Sequence, residues 1–226
     1  MDGLGIAFTV GIVIFGVVGM LIQNQQRQAR LDALRAIAGQ LNWKFDSEDF
    51  NNEANRLAGF HVGSIGRSLS VTNMMSGIFE GLPVKVFDFS YVVPGGKNSH
   101  TVHQTVVELP LEGEKRPNFF LRPERAWWNR SLFESYRDFD FESHPQFSQR
   151  YQLSGNDEDA VRELFIPNVL EFFEQHAGLF VEGSGGRLIY HREGILVEPH
   201  EISTFVDEAK CCLRLLENSS NKSSNS

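Results

Sequence analysis

The longest uninterrupted apolar stretch of the chain lies at its beginning, before any pattern typical of a folded domain. Leu4 to Ile22 (LGIAFTVGIVIFGVVGMLI) contains nineteen residues and no charge. A helix rises about 1.5 Å per residue, so this stretch would extend over roughly 28 Å, close to the hydrocarbon thickness of a bilayer. The pattern predicts an N-terminal transmembrane anchor over residues 1–22.

A cleaved secretory signal is the main alternative for this stretch. Such a signal combines a basic start, an apolar core of about 7–15 residues and a small-residue cleavage site. The chain begins with Met1–Gly3, which contains no basic residue, and Met20–Gln23 offers no small-residue exit. We therefore expect the anchor to be retained.

Basic residues on the two sides of a membrane span predict its orientation, because Lys and Arg gather on the cytoplasmic side. Only Asp2 and the amino terminus precede the span, whereas Arg27, Arg30, Arg35 and Lys44 follow it. This asymmetry predicts an N-terminus outside and a cytoplasmic body.

Helical periodicity begins after the polar segment Gln23–Gln28. The apolar residues that recur at helical spacing are Leu31, Leu34, Ile37, Ala38 and Leu41. This spacing predicts a juxtamembrane linker and helix over residues 23–45, with Trp43 and Phe45 as its landing point in the core.

Alternating β-branched and aromatic residues predict an antiparallel hairpin in the next part, residues 46–150. Its strands are Leu82–Val93 and Thr101–Leu109, and the turn formers Pro94–Asn98 lie between them. Asn118–Arg122 is expected to add a third strand. The short run Gly59–Gly63 is also compatible with a strand.

The C-terminal part, residues 151–217, carries two helical patterns around a second predicted hairpin, Leu179–Glu182 with Arg187–His191. The first pattern contains Pro167, which predicts either a kink or two abutting helices. Ile195–Val197 could continue the sheet. The last helix presents one apolar face (Ile202, Phe205, Val206, Ala209, Leu213 and Leu216), and residues 218–226 lack apolar side chains and are expected to be disordered.

This order of elements predicts an α+β fold in which an N-terminal transmembrane helix precedes antiparallel sheet with packed helices. Residues 46–150 and 151–217 could form two similar α+β halves. No repeat in the sequence is strong enough to establish a duplication.

The net charge of −8 limits the classes of partner. An acidic body argues against nucleic acid, whose phosphates require basic patches. The two cysteines, Cys211 and Cys212, are adjacent, so they provide neither a disulfide framework nor a metal knuckle. No cofactor is predicted.

His100 and His103, together with Glu108, are the best candidates for a metal site, because imidazole and carboxylate are common zinc or iron ligands. On a regular strand, however, residues i and i+3 project to opposite faces. A site would need a bend between the two histidines. Ser184, in a glycine-rich turn between two strands, does not fit a nucleophile elbow, which requires a strand-to-helix turn.

A cluster of arginine and tryptophan follows the predicted third strand. Its members are Arg122, Arg125, Trp127, Trp128 and Arg130. These residue types dominate protein-interface hot spots, and arginine can stack on indole. The cluster could contact a protein partner, or it could plug the sheet.

The succession of segments FDFSYVV with a glycine-rich tip, HQTVVEL, NFFLRPE and HPQFSQRYQLSGNDEDAVRELF, followed by a hairpin and a helix, resembles a group of uncharacterised bacterial single-pass membrane proteins. The resemblance spans most of Val84 to Leu216. It implies a bacterial inner-membrane protein and assigns no activity.

Two classes of function follow from the sequence. The first is a membrane-tethered protein-interaction or scaffold module, which could also self-associate. The alternative is a metal-dependent hydrolase that uses the hairpin of His100 and His103.

Overall fold

A computed structural model describes residues 3–49, 52–64, 66–94, 99–113, 116–124 and 137–223, with side chains between residues 15 and 219. The helices are α1 (Gly3–Gln40), α2 (Glu53–Arg56), α3 (Pro145–Arg150), α4 (Glu158–Leu164), α5 (Pro167–Gln175) and α6 (Ile202–Ser223). The strands are β1 (Lys44–Glu48), β2 (Arg67–Phe79), β3 (Leu82–Val93), β4 (His100–Pro110), β5 (Phe119–Pro123), β6 (Tyr151–Gly155), β7 (Leu179–Ser184) and β8 (Arg187–Arg192). Short 3-10 turns lie at Leu57–Gly59, His61–Gly63 and Pro199–Glu201.

In the described part of the chain, the eight strands form one antiparallel sheet in the order β1-β2-β3-β4-β8-β7-β5-β6. The α+β class is therefore confirmed. The hairpin β7–β8 lies in the middle of the sheet, because β8 pairs with β4 and β7 pairs with β5. Strands from both predicted halves thus share one sheet, and a duplication of the halves stays a prediction.

Both predicted hairpins are confirmed. In the first hairpin Phe87 pairs with Val106, and in the second hairpin Phe180 pairs with His191. The predicted third strand is also present, as β5, but β8 and β7 separate it from the first hairpin. The sequence pattern identified the strands, while their order depends on pairing between distant segments.

The larger core lies on one face of the sheet, under α4, α5, α6 and the last turns of α1. The predicted apolar face of α6 is buried there, and Cys212 is buried with it while Cys211 is exposed. The helical pattern around Pro167 forms two abutting helices, because α5 begins at this proline, whose missing N–H is not needed at a helix start. The rings of Phe165 and Phe173 stack across the pair with centroids 6.0 Å apart.

A smaller core lies on the second face of the sheet. Residues 57–64, called the cover segment below, place Leu57, Phe60 and Val62 against it. The strands contribute a buried set that includes Val71, Met74, Phe87, Phe89, Tyr91, Val106 and Ile189. The cover segment therefore occupies a place that a helix layer fills on the first face.

The apolar N-terminal stretch and the juxtamembrane helix form one continuous helix of 38 residues, α1. Its last turns pack on the body through Leu34 and Ala38, and Trp43 and Phe45 lie in the same core as predicted. No helix among the residues that the structure describes is long and apolar enough to cross a membrane. Residues 4–14 of the predicted anchor lie outside the described side chains.

Three local predictions need correction. The run Gly59–Gly63 forms 3-10 turns and not a strand, because its amides bond to a side chain of β7 and not to a neighbouring strand. Ile195–Val197 is not a strand, although the Ile195 carbonyl accepts a 2.8 Å bond from the Thr105 amide.

The segment predicted as a disordered tail begins as helix. The α6 helix continues to Ser223, and Ser219 is buried with its hydroxyl donating to the Leu216 carbonyl at 2.7 Å. Residues 224–226 lie outside the described part.

Candidate functional site

The first functional feature is the exposed part of α1. All residues from 15 to 29, called the stalk below, are exposed. The stalk includes large apolar side chains, and Phe15 and Met20 are 83% and 74% exposed. A contiguous apolar surface of this kind normally marks a contact with lipid or with another protein.

Arg30 fixes the stalk to the centre of the sheet. Its Nε and Nη2 atoms donate to the two carboxylate oxygens of Asp88 at 2.8 and 2.7 Å, and its Nη1 donates to the Val197 carbonyl at 2.9 Å. Thr105 and Asn73 also donate to Asp88, at 3.2 and 3.0 Å. Such a bidentate, half-buried pair sets an angle as well as a distance, so the body has a defined direction relative to the stalk.

The second feature is a buried carboxyl group under the cover segment. Glu182 on β7 is 4% exposed, and its two oxygens accept the backbone amides of His61 and Val62, the latter at 2.9 Å. Burial raises its pKa to about 7, although the two amides favour the charged form. Glu182 therefore attaches the cover segment to the sheet through two hydrogen bonds, and its pKa lies near neutral pH.

Two histidines lie beside this carboxyl group. Burial, followed by the nearby His191 and Arg122, lowers the pKa of His61 to about 3, and burial lowers that of His191 to about 3. The His61 ring lies 4.3 Å from the Phe120 ring, and His191 stacks on Phe180 at 5.0 Å. Both rings are therefore neutral at physiological pH and act as polar aromatic surfaces.

Further titratable groups surround the histidines on the same sheet face. Arg122 is buried and donates to the side chain of Gln152. Tyr91 donates to Glu193 at 3.0 Å, and burial raises the pKa of Glu193 to about 7. Ionisable groups with shifted pKa values in one buried patch are typical of functional sites, and structural networks also produce them.

An open cleft of about 410 Å³ adjoins this patch. It lies between the cover segment and the ends of β5, β6 and β7. The lining includes Phe60, His61, Asn118, Phe120, Ser154, Asn156, Glu182 and Ser184. We call it the polar cleft, and it is the cavity that the patch opens into.

The structure does not bring together the predicted metal ligands. His100 pairs with Val93 and His103 with Ser90, so the two histidines project to opposite faces of β4. Glu108 instead accepts a 2.5 Å bond from Arg187. Within the described ranges, no group of three His, Cys, Asp or Glu side chains could hold a metal ion.

The predicted partner-contact cluster is described only in part. Arg122 is buried in the patch and not at the surface. Arg125, Trp127, Trp128 and Arg130 lie outside the described residues. Contact of this cluster with a protein partner stays a prediction.

Sequence reasoning did not single out Glu182, His61 or His191. A weak signal was present, because Glu182 interrupts the apolar strand Leu179–Val181 and His191 ends the apolar strand Leu188–Tyr190. Charged or polar residues in such strands are rarely buried without a partner. The partners are distant in sequence, so the pattern alone could not assemble them.

Comparisons with known proteins identify a fold and no family. No protein-family model matches the chain, and no curated protein matches it. One similar solved structure is the crystal structure of the mycobacterial trehalose monomycolate transport factor A, TtfA. It shares 13% sequence identity with this chain at a TM-score of 0.60, and the match extends over 84% of this chain and 93% of that chain. At this identity the likeness concerns the fold alone.

Proposed function

We propose that the protein is a membrane-tethered interaction module at the cytoplasmic face of a bacterial inner membrane. The observation that carries this proposal is the stalk, whose apolar side chains are exposed while the same helix is fixed to the body by Arg30, directly after the stalk. The sequence extends the apolar surface toward the N-terminus over Leu4–Ile14. Burying this apolar surface in lipid would remove it from water, which stabilises the inserted state by about 25 cal/mol per Å² of buried area.

The clamp between Arg30 and Asp88 supports a scaffold role. A flexible linker would let the body sample many orientations. A continuous helix held by a bidentate ion pair instead fixes the orientation of the sheet relative to the stalk. A partner that lies in or on the same membrane would then meet a body that is already oriented. Preorganisation of this kind reduces the entropy lost on binding.

We propose a class of partner by analogy with the structural neighbour. That protein is a trehalose monomycolate transport factor. We infer that the present chain serves as an accessory factor of a membrane transport assembly. Of the predicted cluster, we assign Arg125, Trp127, Trp128 and Arg130 to protein contact, because Arg122 is buried, and nucleic acid is not a proposed partner.

No observation favours the alternative, a metal-dependent hydrolase that uses His100 and His103. These side chains lie on opposite faces of β4, so one metal ion could not bind both without a change of the strand.

Membrane fractionation of the full chain tests the tether. We expect the protein to remain in membranes after an alkaline carbonate wash. The double variant Val17→Arg/Met20→Arg should be released, because a charged residue within a membrane span costs about 2.5–3.5 kcal/mol. The matched control Gln25→Arg/Gln28→Arg adds the same charge to the polar part of the stalk and should stay bound.

Reporter fusions and crosslinking test sidedness and the partner. A reporter that works only in the cytoplasm should be active when it is fused after Ser226, and a reporter that works only outside should be inactive there. Photocrosslinkers at Trp127 or Trp128 in intact cells should yield one reproducible product with a membrane transport protein. The proposal would be contradicted if the wild-type protein were found in the soluble fraction. It would also be contradicted if only the reporter that works outside the cytoplasm were active.

A further inference from the structure

The geometry points to the polar cleft as a binding site for a small neutral ligand rich in hydroxyl groups, a mono- or disaccharide. This inference goes beyond the proposed tether and does not depend on it. The cleft volume of about 410 Å³ lies in the lower part of the range of about 300–1,000 Å³ that small-molecule sites occupy. That size admits one or two sugar rings.

The polar groups of the cleft match hydroxyls. Ser154 and Ser184 on β6 and β7 provide hydroxyl groups, and Asn118 and Asn156 provide carboxamides, each of which can both donate and accept. The Asn156 side-chain oxygen already accepts the Asn118 amide at 2.9 Å, so this carboxamide is held in a fixed orientation. A ligand whose hydroxyls also donate and accept would find partners on β6 and β7 and on the residues next to the ends of β5 and β6.

The charge of the cleft argues against an ionic ligand. No lysine or arginine is among the described residues that line it, so nothing there would neutralise a phosphate or a carboxylate. Glu182 is the one lining carboxyl group in that set, and two backbone amides already occupy its oxygens. A neutral ligand is the class that such a lining accepts at least cost.

Aromatic rings supply the apolar part of the site. Phe60 and Phe120 line the cleft together with His61, whose ring packs at 4.3 Å against Phe120. The strands hold Phe120, and the Glu182 contact holds His61. Sites for small molecules combine apolar and aromatic walls with a few fixed polar groups, and the polar cleft has both.

Binding of glucose and maltose to the full-length protein tests this inference. The protein is held in a detergent without a sugar headgroup, and saturation-transfer NMR and calorimetry report binding. We expect saturable binding of at least one of the two sugars, with a dissociation constant near 1 mM, about −4 kcal/mol. High salt should not weaken it, and glucose 6-phosphate should bind more weakly than glucose.

Variants locate the binding. Ser184→Phe fills the cleft and should abolish binding, and the conservative Ser154→Ala should weaken it by about tenfold, or 1.4 kcal/mol. The control Ser70→Phe places the same ring at an exposed position of β2 and should leave affinity unchanged. Slower hydrogen exchange at the His61 and Val62 amides should accompany binding in the wild type.

Three results would overturn the inference. They are no saturable binding of either sugar, equal affinity in wild type and both cleft variants, or tighter binding of glucose 6-phosphate than of glucose. Because Ser154→Ala removes only a hydroxyl, its result stands even where Ser184→Phe fails to fold.

Discussion

Arg30 of the first helix and Asp88 of the third strand form a bidentate ion pair through bonds of 2.8 and 2.7 Å. Their side chains are 16% and 11% exposed, so most of the pair is removed from water. The two residues lie 58 positions apart, and their contact makes the helix and the sheet one unit.

Replacing Arg30 should strongly destabilise the protein. In Arg30→Ala, Asp88 keeps its bonds from Thr105 and Asn73 but loses its cation. Breaking a largely buried pair by removing one partner costs about 3–5 kcal/mol, and the partial exposure places our expectation near 3 kcal/mol. Urea unfolding of the full chain measures this loss.

The matched control is Arg35→Ala on the same helix. Arg35 faces Asp32 at 3.6 Å, with side chains 56% and 59% exposed. An exposed pair contributes about 0–1 kcal/mol, so the control should unfold almost like the wild type. Equal losses in both variants would show that the Arg30 contact has no special role.

Glu182→Gln should change how stability depends on pH. The pKa of Glu182 is about 7 in the folded protein and 4.5 in the unfolded chain, so the folded state binds this proton more tightly. Its contribution to stability is therefore greatest below about pH 4.5 and is lost as the pH rises to about 7. Glutamine cannot titrate, so the variant lacks this loss.

The measurement compares unfolding free energies of wild type and Glu182→Gln from pH 4.5 to 8. As the pH rises from 4.5 to 8, the unfolding free energy of the variant should increase relative to that of the wild type by up to about 3 kcal/mol, because each pKa unit corresponds to 1.36 kcal/mol. A constant offset from the altered amide contacts is expected at every pH. A difference that does not vary with pH would mean that the Glu182 carboxyl is not buried as described.

His191→Phe should stabilise the protein, most of all in mild acid. Among the described residues neither ring nitrogen of His191 has a hydrogen-bond partner, although both are buried. Its folded pKa of about 3 lies below the unfolded value of 6.5, so its presence costs stability as the pH falls from 6.5 toward 3. The gain from the variant should be about 2 kcal/mol larger at pH 5 than at pH 8.

Thermal unfolding at pH 5 and pH 8 tests this expectation, with His103→Phe as control because His103 is exposed on β4. The control should not reproduce this stabilisation. A loss of stability in His191→Phe at pH 8 would indicate that the imidazole nitrogens have partners beyond the described residues.

Gly77→Ala should weaken the contact between the end of α1 and the sheet. A Cβ atom at Gly77 would overlap the indole ring of Trp43, which donates to the Ile78 carbonyl at 3.1 Å. Forcing a bulky ring aside in a packed core costs about 1–3 kcal/mol. Gly39→Ala, in the helix and open to solvent, should stabilise by about 0.5–1 kcal/mol. Denaturant midpoints of the two variants should therefore shift in opposite directions.

The sequence predicted those elements whose pattern is regular and local. Leu34 and Ala38 follow helical spacing, and the two hairpins alternate around turn formers, so these parts were recognised. The long strand β2 was not. Its register shifts between Arg67 and Ser70 and again between Thr72 and Met75. These irregularities interrupt the alternation of apolar and polar residues that predicts a strand.

The polar cleft could not be predicted because it is assembled from distant segments. His61 and Glu182 are 121 positions apart, and β5 joins β6 and β7 only in the finished sheet. The start of α4 also depends on a distant contact. Asp157 is the capping residue, with its side chain accepting the Ala160 amide at 3.1 Å, while Asn156 bonds to Asn118 across the sheet.

The position of the β7–β8 hairpin in the middle of the sheet determines when the protein can fold during synthesis. Until residues 179–192 leave the ribosome, β4 on one side and β5 on the other each present an unpaired edge. Open strand edges favour pairing with other chains. The β7–β8 hairpin therefore removes two edges at which incomplete chains could pair with one another.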